Sequence, residues 1–166
     1  MESTIKYNNL IFLFLLVSCS AFHSFGQHPK STARTISDSI EVVQTINAFV
    51  DAFSNLHWQQ FTRFFAEDAT AFFPPSANIP EKVNNKDEIL KVFRNVFDHA
   101  KKLKSTPPYI IIEPKNLSVQ MLGKTAVITF VLEDPEMFGR RTIVMEKEHN
   151  RWLIVHLHAS GVPAPK

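Results

Sequence analysis

The chain has 166 residues, of which 45% are hydrophobic and 20% are charged. This composition excludes a disordered or collagen-like chain and is typical of a single globular domain. The 18 basic and 16 acidic residues give a net charge of +2, without the clustered basic excess of a nucleic-acid-binding domain, so we expect no nucleic-acid partner. The 15 Phe against only 4 Gly predict a core filled by aromatic rings.

Residues 1–26 have the pattern of an export signal. Lys6 supplies a positive charge, and residues 10–17 form an unbroken apolar run that is too short to span a bilayer as a mature helix. Small residues precede Gln27 at the −3 and −1 positions, where a signal peptidase needs them. Residues 16–19 also resemble a bacterial lipobox, in which Cys19 would be lipidated. We therefore expect an exported bacterial protein, periplasmic or secreted, whose membrane contact, if any, is a lipid on Cys19.

The mature chain is expected to consist of a short linker and one domain. Cys19 is the only cysteine, so the mature domain has no intrachain disulfide. Residues 27–35 are polar and aperiodic and are interpreted as a linker. The domain then covers residues 36–162, and residues 163–166 form a proline-containing tail.

Three helices are predicted from apolar periodicity. Apolar residues recur at three- and four-residue steps over 36–53, and again over 58–65 in a shorter segment. The third helix begins after Asn85, which forms a capping pair with Glu88 and precedes an apolar stripe through residue 100.

The remainder of the domain is predicted to be β-structure. Strands are expected over the following ranges: 69–73, 117–122, 125–133, 140–148 and 152–160, with 109–112 as an extension before the second. Residues 76–84 and 134–139 are interpreted as loops. Because the connections between the last strands are short, these strands are expected to form an antiparallel meander.

Two segments carry a resemblance to a known family. Residues 53–58 (FSNLHW) and 65–74 (FAEDATAFFP) resemble the start of a nuclear transport factor 2-like (SnoaL-like) domain. Residues 150–161 (NRWLIVHLHASG) resemble the last strand of the association domain of calcium/calmodulin-dependent protein kinase II, with its W-x-I-V-H-x-H-x-S-G pattern. The resemblance covers about residues 36–162. It implies an α+β cone in which a strongly curved antiparallel sheet wraps around three helices and leaves a pocket at the wide end.

The histidine pair of the last strand has three interpretations. His156 and His158 are two residues apart, so both side chains share one face of a strand, together with Trp152 and Ile154. We expect that face to lie on the outside of the sheet, where the family commonly pairs subunits, so these four residues are the predicted interface of a homodimer or higher oligomer. His156 and His158 are also weak catalytic candidates. A metal pair is the least favoured interpretation, because no third ligand is evident, and we predict no metal site.

The predicted pocket combines aromatic residues with the inner face of the sheet. Its candidate residues are Trp58, Phe73, Phe93, Phe97, Tyr109, Thr129, Arg141, Ile143, Leu157 and Ala159. A one-residue bulge at the turn 149–150 would place Arg141 opposite Leu157 on the inner face, as the best anion-binding candidate. The kinase association domains hold arginines in their pocket, whereas the matched positions here are Thr129, Ile143 and Ala159. That departure predicts a pocket for a neutral or weakly polar small molecule.

Two functions from different classes follow. The first is an exported module that binds an apolar small molecule or assembles into oligomers, with no catalytic centre that can be recognised in the sequence. The alternative is a cofactor-independent lyase or isomerase of the SnoaL-like kind, acting on a small hydrophobic substrate. No dinucleotide, P-loop or kinase motif occurs, so no cofactor is expected and the question of enzymatic activity stays open.

Overall fold

The computed structural model describes residues 28–74, 80, 82–133 and 137–164. The predicted export signal, the lipidation candidate Cys19 and the end of the predicted tail lie outside these ranges. Three α-helices lie within the described residues: α1 (His28–Ser54), α2 (Trp58–Phe61, extended by a 3-10 turn over Thr62–Phe64) and α3 (Lys86–Leu103). The same ranges contain six strands: β1 (Phe65–Phe72), β2 (Lys82–Val83), β3 (Lys115–Leu122), β4 (Thr125–Glu133), β5 (Met137–Glu148) and β6 (Arg151–Pro163).

Helix α1 is longer than its apolar pattern predicts. It begins at His28, so residues 28–35, interpreted from the sequence as a linker, are helical. Its buried face contains Val42, Ile46, Phe49 and Ala52. Ile36 and Ile40, the first residues of the predicted stripe, are 57% and 54% exposed. The early turns of α1 meet the sheet through an ion pair between Asp38 and Lys147 instead.

The six strands form one curved sheet in the order β2-β1-β6-β5-β4-β3. The predicted meander is confirmed, because β3, β4, β5 and β6 pair antiparallel in succession. The prediction of a purely antiparallel sheet is wrong at one position: β1 lies parallel to β6. These two strands are joined by a long crossover through α3 and the other strands, which permits parallel pairing. The α+β architecture with three helices on a curved, open sheet agrees with the prediction.

The segment before β3 differs from the predicted strand extension. Residues 109–112 are irregular, because the backbone N–H groups of Tyr109 and Ile110 donate to the Ser54 carbonyl at 2.8 and 3.1 Å. This carbonyl lies at the C-terminal end of α1, where helix carbonyls lack partners within the helix. The segment therefore packs across the end of α1 instead of joining the sheet.

Aromatic rings fill the space between the helices and the inner face of the sheet. Phe61 is fully buried and its ring lies 4.8 Å from that of Phe93 and 5.2 Å from that of Phe97, measured between centroids. The rings of Phe49 and Phe53 lie 5.3 and 5.6 Å from Phe61. This cluster explains the phenylalanine-rich composition and holds all three described helices together on the inner face of the sheet.

The β5–β6 hairpin contains a bulge, and the side chains of β6 on the two sides of this bulge alternate out of phase between the faces of the sheet. His149 and Asn150 form a two-residue turn with φ of 46° and 61°, and pairing begins at Glu148 and Arg151. The register then shifts between Val144 and Met145, so the bulge lies farther along the hairpin, opposite these residues, and the predicted bulge at the turn is wrong.

The corrected register changes the partners on the inner face. Ile143 pairs with Leu157, and Arg141 pairs with Ala159, whereas the sequence predicted partners two residues earlier in β6. Arg141 and Ile143 still face inwards, as predicted, because a shift of two residues preserves the face of a strand.

Candidate functional site

An apolar cavity of about 200 Å³ lies between the inner face of the sheet and helices α1 and α3. Its lining consists of Phe49, Val50, Phe53, Phe73, Pro74, Val92, Phe93, Val96, Ile112, Phe130, Leu132, Arg141, Ile143, Leu157 and Ala159. Arg141 is the only charged side chain among these described lining residues. The cavity is therefore suited to a mainly apolar molecule with one polar contact.

Six of the ten predicted pocket residues line this cavity: Phe73, Phe93, Arg141, Ile143, Leu157 and Ala159. Ala159 and Leu157 face it from β6, and Ile143 and Arg141 face it from β5. Alternation identified the two residues of β6, whereas the two residues of β5 were placed on the inner face through the predicted bulge at the turn, which the structure has farther along the hairpin.

The other four predicted pocket residues do not line it, for different reasons. Thr129 is exposed on the outer face, while its neighbour Phe130 faces inwards. Trp58 packs edge to face on Phe97, with ring centroids 5.4 Å apart, and the Arg94 guanidinium lies 3.5 Å from the Trp58 ring centroid. Phe97 is buried in the aromatic cluster, and Tyr109 is half-buried near the end of α1.

On the helical side of the cavity, sequence reasoning identified Phe93 and missed the other residues. Phe49, Val50 and Phe53 come from α1, and Val92 and Val96 come from α3. Val50, Phe53 and Val96 belong to predicted apolar stripes, so the signal was present. Periodicity shows which residues share a helix face, but it does not show which part of that face borders a void.

Arg141 is held in a defined position at the edge of the cavity. Its Nη1 donates to the carbonyl oxygens of Arg140 and Ser160 at 2.9 and 3.0 Å. Burial lowers the pKa of the Arg141 guanidinium. None of the ion pairs among the described residues involves it. Arg141 is thus a partly desolvated cation without a charged partner in the part of the chain that the structure describes.

Gly139 makes room for this arrangement. It lies two residues before Arg141 on the same face of β5, and a Cβ added there would be 3.1 Å from Arg141 Nη1. Such a distance is tighter than an ordinary van der Waals contact, so any larger residue would displace the guanidinium. The absence of a side chain at this position lets Arg141 fold back along its own strand.

A second hollow of about 530 Å³, called the outer hollow below, adjoins the cavity. Both spaces share Phe53, Pro74, Ile112, Leu132 and Arg141 as lining residues. The outer hollow also contains Glu113 and Glu133, together with Ser160. Arg141 therefore stands where the apolar cavity meets a more polar space.

The histidine pair lies on the outer face of the sheet, away from this cavity. His156 Nδ1 and the Thr70 hydroxyl on β1 form a 2.8 Å hydrogen bond. The Phe72 ring lies beside both imidazoles, at 5.7 Å from His156 and 5.9 Å from His158 between centroids. Burial lowers the pKa of His156, and the nearby charges of His158 and Lys82 lower it further.

Two of the four predicted interface residues point the other way. Trp152 and Ile154 are 4% and 0% exposed and belong to the core. The register shift in the β5–β6 hairpin separates them from His156 and His158, so the two pairs face opposite sides of the sheet despite their even spacing in the sequence.

Within the described residues, no cluster of three or more His, Cys, Asp or Glu side chains could hold a metal ion. Among the described helices, none is both long and apolar enough to cross a membrane.

A family model described as SnoaL-like domain matches residues 42–165 of the chain. No curated protein matches it. The match covers both the helices and the sheet that enclose the cavity.

Solved structures with the same fold include proteins with different names. An NTF2-like protein of unknown function from Pseudomonas putida KT2440 has 20% sequence identity and a TM-score of 0.61, over 78% of this chain and 87% of that one. A protein from Streptomyces avermitilis, provisionally named a dehydratase of the NTF2-like family, has 17% identity and a TM-score of 0.64, over 78% and 99%.

A third structure is a protein from Parabacteroides distasonis ATCC 8503, provisionally named a ketosteroid isomerase. It has 17% identity and a TM-score of 0.54, over 73% of this chain and 85% of that one. At these identities the likeness shows the fold and leaves the activity open.

Proposed function

We propose, starting from the fact that this chain belongs to the SnoaL-like family, that it binds one small, mainly apolar molecule in its inner cavity. The observation that carries the proposal is the cavity itself, which is lined by aromatic and aliphatic side chains and by one cation. An apolar cavity of about 150 Å³ accepts benzene. The volume of about 200 Å³ found here therefore suits one ring with a short substituent.

Ligand binding accounts for the described lining better than proton transfer does. A lyase or isomerase would need a general acid or base within reach of the substrate. The only ionisable side chain among the described lining residues is Arg141, and a guanidinium stays protonated at neutral pH. His156 and His158, the catalytic candidates of the alternative function, lie across the sheet from the cavity. Chemical conversion of a bound ligand by the purified protein would revise the proposal in favour of the enzyme.

The experiment is a titration of the purified protein with benzyl alcohol, followed by NMR of the Ile143 and Leu157 methyl groups. Saturable shifts are expected, because these methyl groups line the cavity. Val96→Phe should weaken binding at least about tenfold, since the added ring occupies the ligand's volume. Asn95→Phe is the matched control, because Asn95 is the exposed neighbour of Val96 on α3 and does not line the cavity.

Two results would contradict the proposal. One is the lack of saturable shifts with benzyl alcohol. The other is equal affinity in the Val96→Phe variant, provided that its thermal unfolding midpoint shows it to be folded.

The second part of the proposal is assembly through the outer face of the sheet. Val127 and Val144 are paired neighbours on β4 and β5, and Val144 is paired in turn with His156 on β6. All three are half-buried, and the two valines do not pack on the core cluster. An uncovered apolar stripe of this kind supports pairing with a second copy of the chain. Export and lipidation remain predictions from residues 1–26.

A further inference from the structure

We infer that the bound molecule is an amphipathic monocarboxylate, whose ring occupies the inner cavity and whose carboxylate is held by Arg141. This inference rests on the proposed function and adds the chemical class of its ligand. It departs from the neutral ligand predicted from Thr129, Ile143 and Ala159. It agrees instead with the other expectation from the sequence, in which Arg141 is the best anion-binding candidate, because Arg141 is the one charged side chain among the described residues of an otherwise apolar lining.

The charge of Arg141 is the first support. A partly buried cation without an ion pair among the described residues has lost hydration free energy, which a paired carboxylate on a ligand would offset. The described ion pairs of β5 join Lys147 to Asp38 and Glu41, so they do not neutralise Arg141. A ligand with one negative charge is therefore expected to bind with higher affinity, because the cation of the site is already partly desolvated in the folded protein.

The orientation of the guanidinium is the second support. Its Nη1 is occupied by the Arg140 and Ser160 carbonyls. The remaining nitrogens, Nε and Nη2, have no partner among the described residues and share one edge of the planar group. That edge is the one that binds both oxygens of a carboxylate through two parallel hydrogen bonds. The two backbone contacts fix the plane in advance, which lowers the entropy lost on binding.

The surroundings of Arg141 limit the ligand to one negative charge. The cavity beyond Arg141 is apolar, and the outer hollow on its other side contains Glu113 and Glu133. Glu133 is paired with Lys115 at 2.9 Å, whereas Glu113 has no ion-pair partner among the described residues. A second carboxylate on the ligand would therefore meet either an apolar wall or another carboxylate.

The test compares three probes of nearly equal shape by calorimetric titration of the purified protein: phenylacetate, phenylacetamide and 2-phenylethylamine. Phenylacetate is expected to bind at least about tenfold more tightly than the amide, since a hydrogen bond to a charged group is stronger than a neutral one. The amine is expected to bind most weakly. The preference should persist in about 0.5 M salt, because partly buried charges are poorly screened.

Two substitutions assign the preference to one side chain. Arg141→Gln should weaken phenylacetate binding much more than phenylacetamide binding, so that the two affinities come to lie within about twofold of each other. Arg140→Gln is the matched control, because Arg140 is exposed on the opposite face of the same strand, and it should keep the preference. Gly139→Ala should weaken phenylacetate binding, because its Cβ would crowd Arg141 Nη1. If Arg141→Gln fails to fold, Arg141→Lys keeps the charge, loses the two-bond edge and should show an intermediate preference.

The outcomes separate this inference from the proposed function. If benzyl alcohol binds and the acid binds no more tightly than the amide, the inference is wrong and the proposed function stands. If Arg140→Gln removes the preference as completely as Arg141→Gln, the carboxylate binds at the surface and the inference is again wrong. If neither benzyl alcohol nor any of the three probes binds, both fail.

Discussion

At the scale of single residues, Lys147 joins the first half of α1 to the sheet. Its Nζ lies 2.6 Å from Asp38 Oδ1 and 2.6 Å from Glu41 Oε2. These hydrogen bonds, first to Asp38 and then to Glu41, raise the pKa of Lys147. The Asp38 side chain is only 10% exposed. Removal of the Lys147 cation would leave this nearly buried carboxylate with Arg34 alone, whose Nε lies 3.8 Å away and whose side chain is 73% exposed.

Lys147→Met is therefore expected to lower the free energy of unfolding by about 2 kcal/mol, less than for a fully buried pair because water still reaches Glu41. Chemical denaturation measures the change. Lys115→Met is the control: it breaks an ion pair whose two side chains are 50% and 43% exposed, and it should leave the midpoint unchanged. Equal effects of the two substitutions would refute the structural role of Lys147.

His156 makes stability depend on pH. Because its folded-state pKa is lowered, the unfolded chain takes up the proton first when the pH falls through about 6.5. The free energy of unfolding therefore decreases below that pH, until the folded-state pKa is passed. Well above about pH 6.5, the imidazole is neutral in both the folded and the unfolded state, so the free energy of unfolding no longer depends on the titration of His156.

The predicted result is a thermal unfolding midpoint that falls between about pH 7.5 and pH 5.5, with a smaller fall in His156→Gln. His99→Gln, an exposed position on α3, serves as the control and should retain the dependence of the unmodified protein. An unchanged slope in His156→Gln would assign the dependence to other groups.

At the scale of elements, the N-terminal cap of α3 is a local sequence motif that is present in the folded structure. The Asn85 side chain accepts a hydrogen bond from the Glu88 N–H at 2.9 Å, and the Glu88 carboxylate accepts one from the Asn84 N–H at 3.0 Å. The predicted capping pair is thereby confirmed, with the returning bond one residue earlier than in the standard capping box. This cap fixes the start of the helix that carries Val92 and Val96 to the cavity.

Asn85→Ala should lower the free energy of unfolding by about 1 kcal/mol, because one helix N–H loses its acceptor. Asn84→Ala is the matched control: only its backbone takes part in the cap, so the change should stay below about 0.5 kcal/mol. Denaturant titrations of both variants compare them directly, and a larger loss in Asn84→Ala would contradict the assignment.

At the scale of the whole molecule, the outer face of the sheet decides whether two copies pair. We predict a dimer at micromolar concentration and a monomer for Val144→Lys, because the added charge would lie in the centre of the proposed contact. Sedimentation velocity distinguishes the two. Ser118→Lys, an exposed position at the edge strand β3, is the control and should remain dimeric. A strictly monomeric unmodified protein would rule out the proposed assembly.

Most of the fold could be predicted from this sequence, because its signals are local. The strand Thr125–Glu133 follows from its own residues, and so does the helix that begins after Asn85. Part of the candidate site follows in the same way, since alternation along β5 and β6 places Arg141 and Leu157 on one wall. Of the helical wall, only Phe93 was predicted. Val92 and the α1 residues needed the packed structure, because a void exists only between elements.

By itself, the sequence determined the α+β class, the family and the aromatic core, since these depend on composition, periodicity and short motifs. The tertiary structure alone decided which residues of β6 share a face. Side chains alternate with a period of two, so the one-residue register shift opposite Val144 and Met145 sends Trp152 to the core and His156 to the surface. Where a strand bulges depends on its neighbours in the curved sheet, and no local pattern in β6 records it.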